Sequence, residues 1–594
     1  MSFIRRIGLR WWILASTAAI SLWIWMVWAQ SQPDVNPVSL HVPKSHPPAN
    51  PEAYRKRPES LRPSPMLKEI KCEINTQVYR NIGWSESSQM QSVPCLLKER
   101  SQEVFVPFKF VRKYFDIYGE ISSDHNRSWL EWSHSYSKVF PHFKDNLYQS
   151  NGTFLQFGSF DVEQRPRVKC VSASEGVPVS TQWDKAGYYY STQISQYALS
   201  HWSKAIQSSS AQDRRKLVYE DGLTHFANWK GDTTRVMSLD CVHFDLASKI
   251  QLSLEKTSDF VLNLDLQFKQ NVTITVTVKT PKITYDVKYV NEDDFIRREG
   301  NLVILGYGSD LKEGEWKHFT RDVLTDLSKG ISKKMFERFR GSSQIYLSDI
   351  ALEGVGCVTN ISQSHQEHLQ MFYTGANWLR HNQDAQGGWP VNVVFNRDHT
   401  KYKFADEIQP GWYSAMASGH ALSVLSRAFA ASRDKKYLTT ALKALKPFSV
   451  SSEQGGFSAR FMNSYTWYEE YPTNPPTFVL NGFMYSLLGL YDLKNTLEMY
   501  GFGDTDDFGN VSELWQSGMR SLKALLPLFD TGSGSVYDLR HFTMQIEPKI
   551  ARWDYHSTHV NLLYILSTLD PDQILATTGD RWRQYMVNQK ARHN

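Results

Sequence analysis

The hydrophobic period of this chain changes along its length, and that change limits the folds open to it. From about residue 364 onward, apolar residues recur every three or four positions in His368–His381, Tyr413–Ala431, Tyr437–Leu445, Phe478–Leu493, Val511–Leu526 and Thr558–Leu569. That spacing gathers them on one face of a helix. Between about 240 and 350 the period is two. Phe260, Leu262, Leu264, Leu266 and Phe268 alternate with Val261, Asn263, Asp265 and Gln267; then Val272, Ile274, Val276 and Val278 alternate mainly with threonines. This predicts adjacent antiparallel strands joined by a turn, each with one buried face, and hence a sandwich. From about 67 to 235 the chain has short aromatic-rich runs without a sustained helical period, and it reads mostly as strands and loops. The expected fold class is α+β and multidomain, with a β-rich region and β-sandwich followed by an α/α toroid. Bundles and solenoids would carry the same helices, but a ring with functional loops at one end suits a polymer ligand.

The 594 residues are enough for two to four domains with full cores. Arg5, Arg6 and Arg10 precede Trp11–Ala29, nineteen residues without a charge. At about 1.5 Å per residue such a helix nearly spans a hydrocarbon core of roughly 30 Å. Tryptophans at both ends suit the lipid–water interface, and the arginines keep the first residues cytosolic. Residues 1–10 read as a cytosolic tail, 11–29 as an uncleaved signal anchor and 30–66 as a Pro-rich stem. Beyond them lie a mixed β-rich domain (67–235), a β-sandwich domain (236–362) and a helical catalytic domain (363–594). Sequons at Asn126, Asn151, Asn271, Asn360 and Asn510 fit passage through the secretory pathway. Cys72 and Cys95 can close a short loop in an oxidising lumen, and five cysteines leave at least one unpaired within the chain. The layout is that of a Golgi type II membrane protein with its body in the lumen. A net charge of +5 gives no indication of nucleic-acid binding, but leaves room for a local cationic groove.

Loops of the helical region combine aromatic, acidic and basic residues. Gln386-Gly387-Gly388-Trp389-Pro390 and Gln409-Pro410-Gly411-Trp412-Tyr413-Ser414 are two of them. Others are Trp467-Tyr468-Glu469-Glu470-Tyr471-Pro472, Tyr537-Asp538-Leu539-Arg540-His541 and Arg552-Trp553-Asp554-Tyr555-His556. Aromatic rings cover the apolar faces of sugars, and arginine holds carboxylates and sulfates through paired hydrogen bonds.

The Trp467–Pro472 run, followed by Phe478-Val479-Leu480-Asn481-Gly482-Phe483-Met484-Tyr485-Ser486, resembles the D-glucuronyl 5-epimerases of heparan sulfate and heparin biosynthesis. Arg167-Val168-Lys169-Cys170, Gly176–Trp183, Gly411–Ala417, Tyr537–Phe542 and Ala551–His556 carry the same resemblance. It covers most of the chain from about residue 150 onward. It implies inversion at carbon 5 of D-glucuronic acid to L-iduronic acid within N-sulfated heparosan, by proton removal on one face and return on the other. Such chemistry needs a positioned base, a second acid and stabilisation of enediolate-like charge, with no organic cofactor.

By family match Tyr471 and Tyr555 are the leading proton-transfer residues. Glu470 is a further base or the group tuning Tyr471, and Tyr537 comes next. A phenol becomes a strong base once ionised, and nearby cations are expected to favour that ionisation. Arg540 is expected to hold the substrate carboxylate, with Asn481 and Tyr485 on one helix face, and Arg552, Trp553, His556 and Gln182 as sugar or sulfate contacts. Arg165, Arg167 and Lys169 alternate at period two, which places three cations on one strand face. The resemblance also implies a homodimer and a structural calcium site, matched by Glu220 and Asp259, although Thr359 stands where the family has an acid before the sequon asparagine. Gly501–Gly509 reads as an acidic surface insertion. The competing readings are a polysaccharide lyase and a non-catalytic Golgi glycan-binding protein.

Overall fold

The computed structural model describes residues 67–591, except for several short internal stretches of which 73–91 and 396–406 are the longest. The expected tail, anchor and stem lie outside the described residues. Among those described, no helix is long and apolar enough to cross a membrane. The described residues divide into two compact units, the smaller taking those within 67–70 and 96–104 and the larger those within 71–95 and 105–591. In the small one Lys98 pairs with Glu103 at 3.1 Å; everything that follows concerns the large one. Its disulfides are Cys72–Cys95 and Cys241–Cys357, while Cys170 is a buried free thiol.

A short strand, β1 (Val168–Val171), and a helix, α1 (Ser191–Gln207), come before the sandwich. The helix corrects the expectation of strands and loops in this region. Ile194, Ala198 and Trp202 lie at four-residue steps on its buried face, and it packs against helices that follow the sandwich. The sandwich is built from β2 (Lys216–Glu220), β3 (Cys241–Phe244), β4 (Val261–Lys279), β5 (Thr284–Val290), β6 (Trp316–Asp322) and β7 (Tyr346–Ser364), with shorter strands at the margins.

The two alternating runs expected to form a hairpin are halves of the single nineteen-residue strand β4. What reads as a turn is a bulge. Lys269, Gln270 and Asn271 are exposed there, Asn271 has φ +37°, and the register against β7 shifts. The first half of β4 pairs with β6 and the second with β5, while β7 runs antiparallel beside both. A bulge lets one strand serve two sheets by bending it between them. Gly354 of β7 has φ +109°, and a side chain there would stand 2.4 Å from the Asn271 carbonyl oxygen, so the bend requires glycine. Leu262, Leu264, Leu266, Val272, Ile274, Val276 and Val278 all point into the sandwich core, as their alternation predicts.

The helical part comprises α2 (His368–His381), α3 (Ala415–Ser432), α4 (Lys435–Lys443), α5 (Leu480–Met499), α6 (Asp506–Leu525), α7 (Trp553–Leu569) and α8 (Gln573–Tyr585), with shorter turns between. Contacts run in sequence from α1 to α3, α5 and α7, with α2, α4, α6 and α8 packed against this series. Between α4 and α5 a hairpin of β8 (Ser458–Phe461) and β9 (Tyr465–Tyr468) leads into the Glu469–Pro472 loop. The end of Gly501–Gly509 forms the first turn of α6. Thr505 caps α6 by accepting from the Phe508 N–H, and Asp506 and Asp507 occupy its first turn, where acids complement the helix dipole. Arg427 of α3 is fully buried, bonding Asp492 of α5 at 2.7 Å, the Tyr148 hydroxyl at 2.9 Å and the Gly152 carbonyl at 3.1 Å. These contacts fix the segment that precedes β1 onto the helices.

Candidate active site

A cavity of about 580 Å³ opens where the loop ends of α1, α5 and α7 meet the segments before and after β1. Of the expected residues it gathers Glu470, Tyr471, Tyr555, Asn481, Tyr485, Arg165, Arg167, Gln182 and Arg552. Glu469 and Glu470 are both buried, with opposite employment. The Glu469 carboxylate accepts the Phe478 N–H just before α5, at 3.0 and 3.2 Å, and braces the loop. Glu470 reaches the cavity by lying against Gly482, where an added Cβ would sit 2.5 Å from Oε2. That glycine is what allows the carboxylate to seat on α5.

Tyr471 hydrogen-bonds to Glu470 and stacks on Phe395, with centroids 4.4 Å apart and planes 6° apart. Trp412 and Trp183 lie 6.0 and 6.1 Å away, completing an aromatic cage. Tyr555 enters from α7, meeting Tyr537 edge-on at 4.9 Å with the Arg552 guanidinium 5.3 Å above its ring. Burial, then the Glu470 charge, push the Tyr471 phenol far above its ordinary value and raise Tyr555 as well. Arg552 and Arg167 act in the opposite sense on Tyr555 but do not prevail. This corrects the expectation of cation-induced ionisation: both phenols hold their protons at neutral pH because desolvation outweighs the cations.

Arg165 and Arg167 lie in the turn before β1 rather than on one strand face with Lys169. The extended geometry needed for period-two alternation begins only at Val168. Arg165 donates to Gln196 Oε1 at 2.6 Å and covers the Phe160 ring, and burial lowers it to about 10, still cationic at neutral pH. Arg167 donates to Gln182 Oε1 at 3.1 Å. Lys169 turns away, donating to the Ala186 carbonyl at 2.7 Å.

Several expected contacts lie outside the cavity lining. Arg540 is clamped by the fully buried Asp538, Nε to Oδ1 at 2.9 Å and Nη2 to Oδ2 at 2.7 Å, which makes it an internal ion pair rather than a carboxylate receptor. His556 is buried with Nδ1 2.8 Å from the Ser535 hydroxyl and Nε2 2.8 Å from the Trp582 carbonyl oxygen. Trp553 packs edge-on against His556 at 5.3 Å. Tyr537 is buried behind Tyr555, with the Lys549 ammonium 4.3 Å from its ring centroid.

Glu220 and Asp259 are both fully buried. The Glu220 carboxylate accepts the Gly222 and Ala227 N–H groups, each at 3.1 Å, and Asp259 faces Arg215 at 3.1 Å and His365 at 3.3 Å. Calcium takes six to eight oxygen ligands. With its carboxylate held by a guanidinium and an imidazole, Asp259 does not fit that role. Among the described residues no group of three or more His, Cys, Asp or Glu is placed to hold a metal ion.

The cavity also contains residues that sequence reasoning missed. Gln193 of α1 is 2% exposed, and neither its amide oxygen nor its nitrogen has a hydrogen-bond partner among the described residues. The same holds for Asn481 Oδ1. Buried polar atoms left open around a cavity are set up to meet a polar ligand. The four-residue spacing of α1 was the signal that would have found Gln193 and Gln196.

A carboxylate, two protonated phenols, arginines and open amides around one cavity define an acid–base site for an anionic, hydroxyl-rich ligand. Two family models match the chain, D-glucuronyl C5-epimerase C-terminus over residues 383–584 and D-glucuronyl C5-epimerase, beta-sandwich domain, over 233–355. A D-glucuronyl C5-epimerase of Caenorhabditis elegans is 35% identical over 556 residues, spanning 85% of this chain and 88% of the relative. An uncharacterized protein of Methanocaldococcus jannaschii is 30% identical over 183 residues, 30% of this chain and 53% of that protein. A GH78 family rhamnosidase of Bacillus sp. GL1, at 7% identity and TM-score 0.20 over 59% of this chain and 42% of its own, carries no argument. The chain belongs to the D-glucuronyl C5-epimerase family and is an epimerase.

Proposed function

We propose that the protein inverts carbon 5 of D-glucuronic acid to L-iduronic acid within N-sulfated heparosan, without breaking the chain. The observation that carries this reading is the convergence of the Glu470–Tyr471 pair and Tyr555, from different elements, on one cavity with Arg165, Arg167 and Arg552. The hydrogen at carbon 5 lies α to a carboxylate and is very weakly acidic. In the proposed step the Tyr471 oxygen takes that hydrogen as a proton while the phenol's own proton passes to Glu470. The electrons of the broken C–H bond move into the carboxylate to form an enediolate. Tyr555 then donates its proton to the opposite face of carbon 5, and Arg552 and Arg167 stabilise the phenolate it leaves. Exchange with water resets both sides, so the reaction is redox-neutral and needs no organic cofactor. No step passes through calcium.

Turnover in deuterated water tests the reading. Deuterium at carbon 5 with unchanged chain length is the expected result; shortened chains absorbing in the ultraviolet would identify a lyase instead. The helices, taken as a toroid open at its loop end, fit a polymer threading past the cavity. An anchored Golgi protein with its body in the lumen belongs to the same proposal, supported by the charge-free run Trp11–Ala29 and by two disulfides, which persist in oxidising compartments. A homodimer is proposed from the family resemblance alone.

A further inference from the structure

We infer that Ser137 and Lys138 form an anion subsite for a sulfamate or sulfate on a sugar adjoining the reacting uronate, so that this end of the cavity reads the substitution of the polymer. The inference rests on the epimerase reading and adds a specificity-determining contact to the same site. Both residues line the cavity. Their backbone is held on α7 by one amide: Asn561 Oδ1 accepts the Phe140 N–H, and Asn561 Nδ2 donates to the Lys138 carbonyl, each at 2.8 Å. With both ends of its amide engaged, Asn561 is a positioning residue that fixes where the Ser137 and Lys138 side chains emerge.

Ser137 is 6% exposed, and its hydroxyl has no hydrogen-bond partner among the described residues. A buried hydroxyl without a partner is unfavourable, so a ligand oxygen arriving there is favoured. The Lys138 side chain is exposed and makes no ion pair among the described residues, which leaves its ammonium available to the same ligand. An ammonium and a hydroxyl form a non-planar pair of donors. That arrangement suits a tetrahedral anion, whereas the planar carboxylate is better matched by an arginine fork. The subsite is also displaced from the chemistry. Tyr555 and Asn561 are six residues apart on α7, about 9 Å along the helix axis, so the subsite reaches a neighbouring sugar while Arg552 and Arg167 serve the reacting one.

The test compares the full chain with Lys138→Ala and Lys138→Arg variants on N-sulfated and N-acetylated heparosan, by equilibrium binding and by carbon-5 deuterium exchange. Lys138→Ala is expected to weaken binding of the N-sulfated polymer roughly tenfold, the scale of one charge-assisted hydrogen bond. Binding of the N-acetylated polymer should not change. KM for the sulfated polymer should rise with kcat unchanged, the loss should shrink at high salt, and Lys138→Arg should restore most of the affinity. Equal affinity of wild type and Lys138→Ala for the sulfated polymer would overturn the subsite, as would equal losses on both polymers. If wild type binds but shows no exchange at carbon 5, the epimerase reading fails while the binding comparison still decides the subsite.

Discussion

Two parts of the molecule set a buried tyrosine against a buried carboxylate in opposite ways. At the sandwich, Tyr289 donates to Asp326 at 2.7 Å, and Arg321 bonds both carboxylate oxygens as well as the Val171 and Ser172 carbonyls. Tyr148, Asp492 and Arg427 repeat the triad among the helices. In each case a guanidinium closes the group and ties distant segments together. In the cavity Tyr471 is bonded to Glu470, and after burial the strongest influences on its phenol are Glu470, Tyr537 and Tyr190, all of which hold the proton on. A counter-charge makes a buried carboxylate structural. In the cavity, phenols packed beside Glu470 keep a proton ready to move.

The largest effect expected from this contrast is on stability. Arg427→Met would strand Asp492 without its cation and should cost about 3–5 kcal/mol in urea unfolding; a loss below about 1 kcal/mol would erase the distinction. Tyr471→Phe and Tyr555→Phe should each cut carbon-5 exchange at least ~100-fold with little change in melting temperature. Near-normal turnover in both would remove their assignment and leave the family membership untouched. Gly482→Ala should push Glu470 off α5 and lower exchange roughly 10-fold, because small misplacements of reacting groups are costly. Wild-type turnover in that variant would show that the carboxylate need not sit there.

The pH profile supplies a fourth check. The raised Tyr555 phenol should stay protonated through its ordinary value of about 10. Exchange should therefore show no alkaline limb attributable to it below pH 9; a limb there that disappears in Tyr555→Phe would contradict the acid role. The smallest effect belongs to the exposed pair of Arg552 with Asp554, 2.7 Å apart. Arg552→Ala should lower carbon-5 exchange roughly 3- to 5-fold at low salt and less at high salt, because it removes a cation beside the Tyr555 phenolate. An equal loss at both would point to packing against Tyr555.

Much of this was legible in the sequence. The predicted bounds of α2 coincide with the observed ones, and the alternation through Leu262–Val278 correctly assigned the buried face of β4. The continuity of that strand was not legible, because Lys269-Gln270-Asn271 has the polarity of a turn whether the chain reverses or only bulges. Nor was the division of labour between Glu469 and Glu470, which are chemically identical neighbours. Arg540 looked like a carboxylate receptor until Asp538, two residues away, was found holding it.

By itself the sequence determined the class of the sandwich and C-terminal helical segments and the family, because hydrophobic period and rare multi-residue words are properties of the chain read locally. Only the tertiary structure decided which side chains meet the cavity. A loop residue's direction depends on partners far away in sequence, as when the Phe478 N–H captures Glu469 and leaves Glu470 beside Gly482, or when Asn561 holds the backbone of Lys138 against α7.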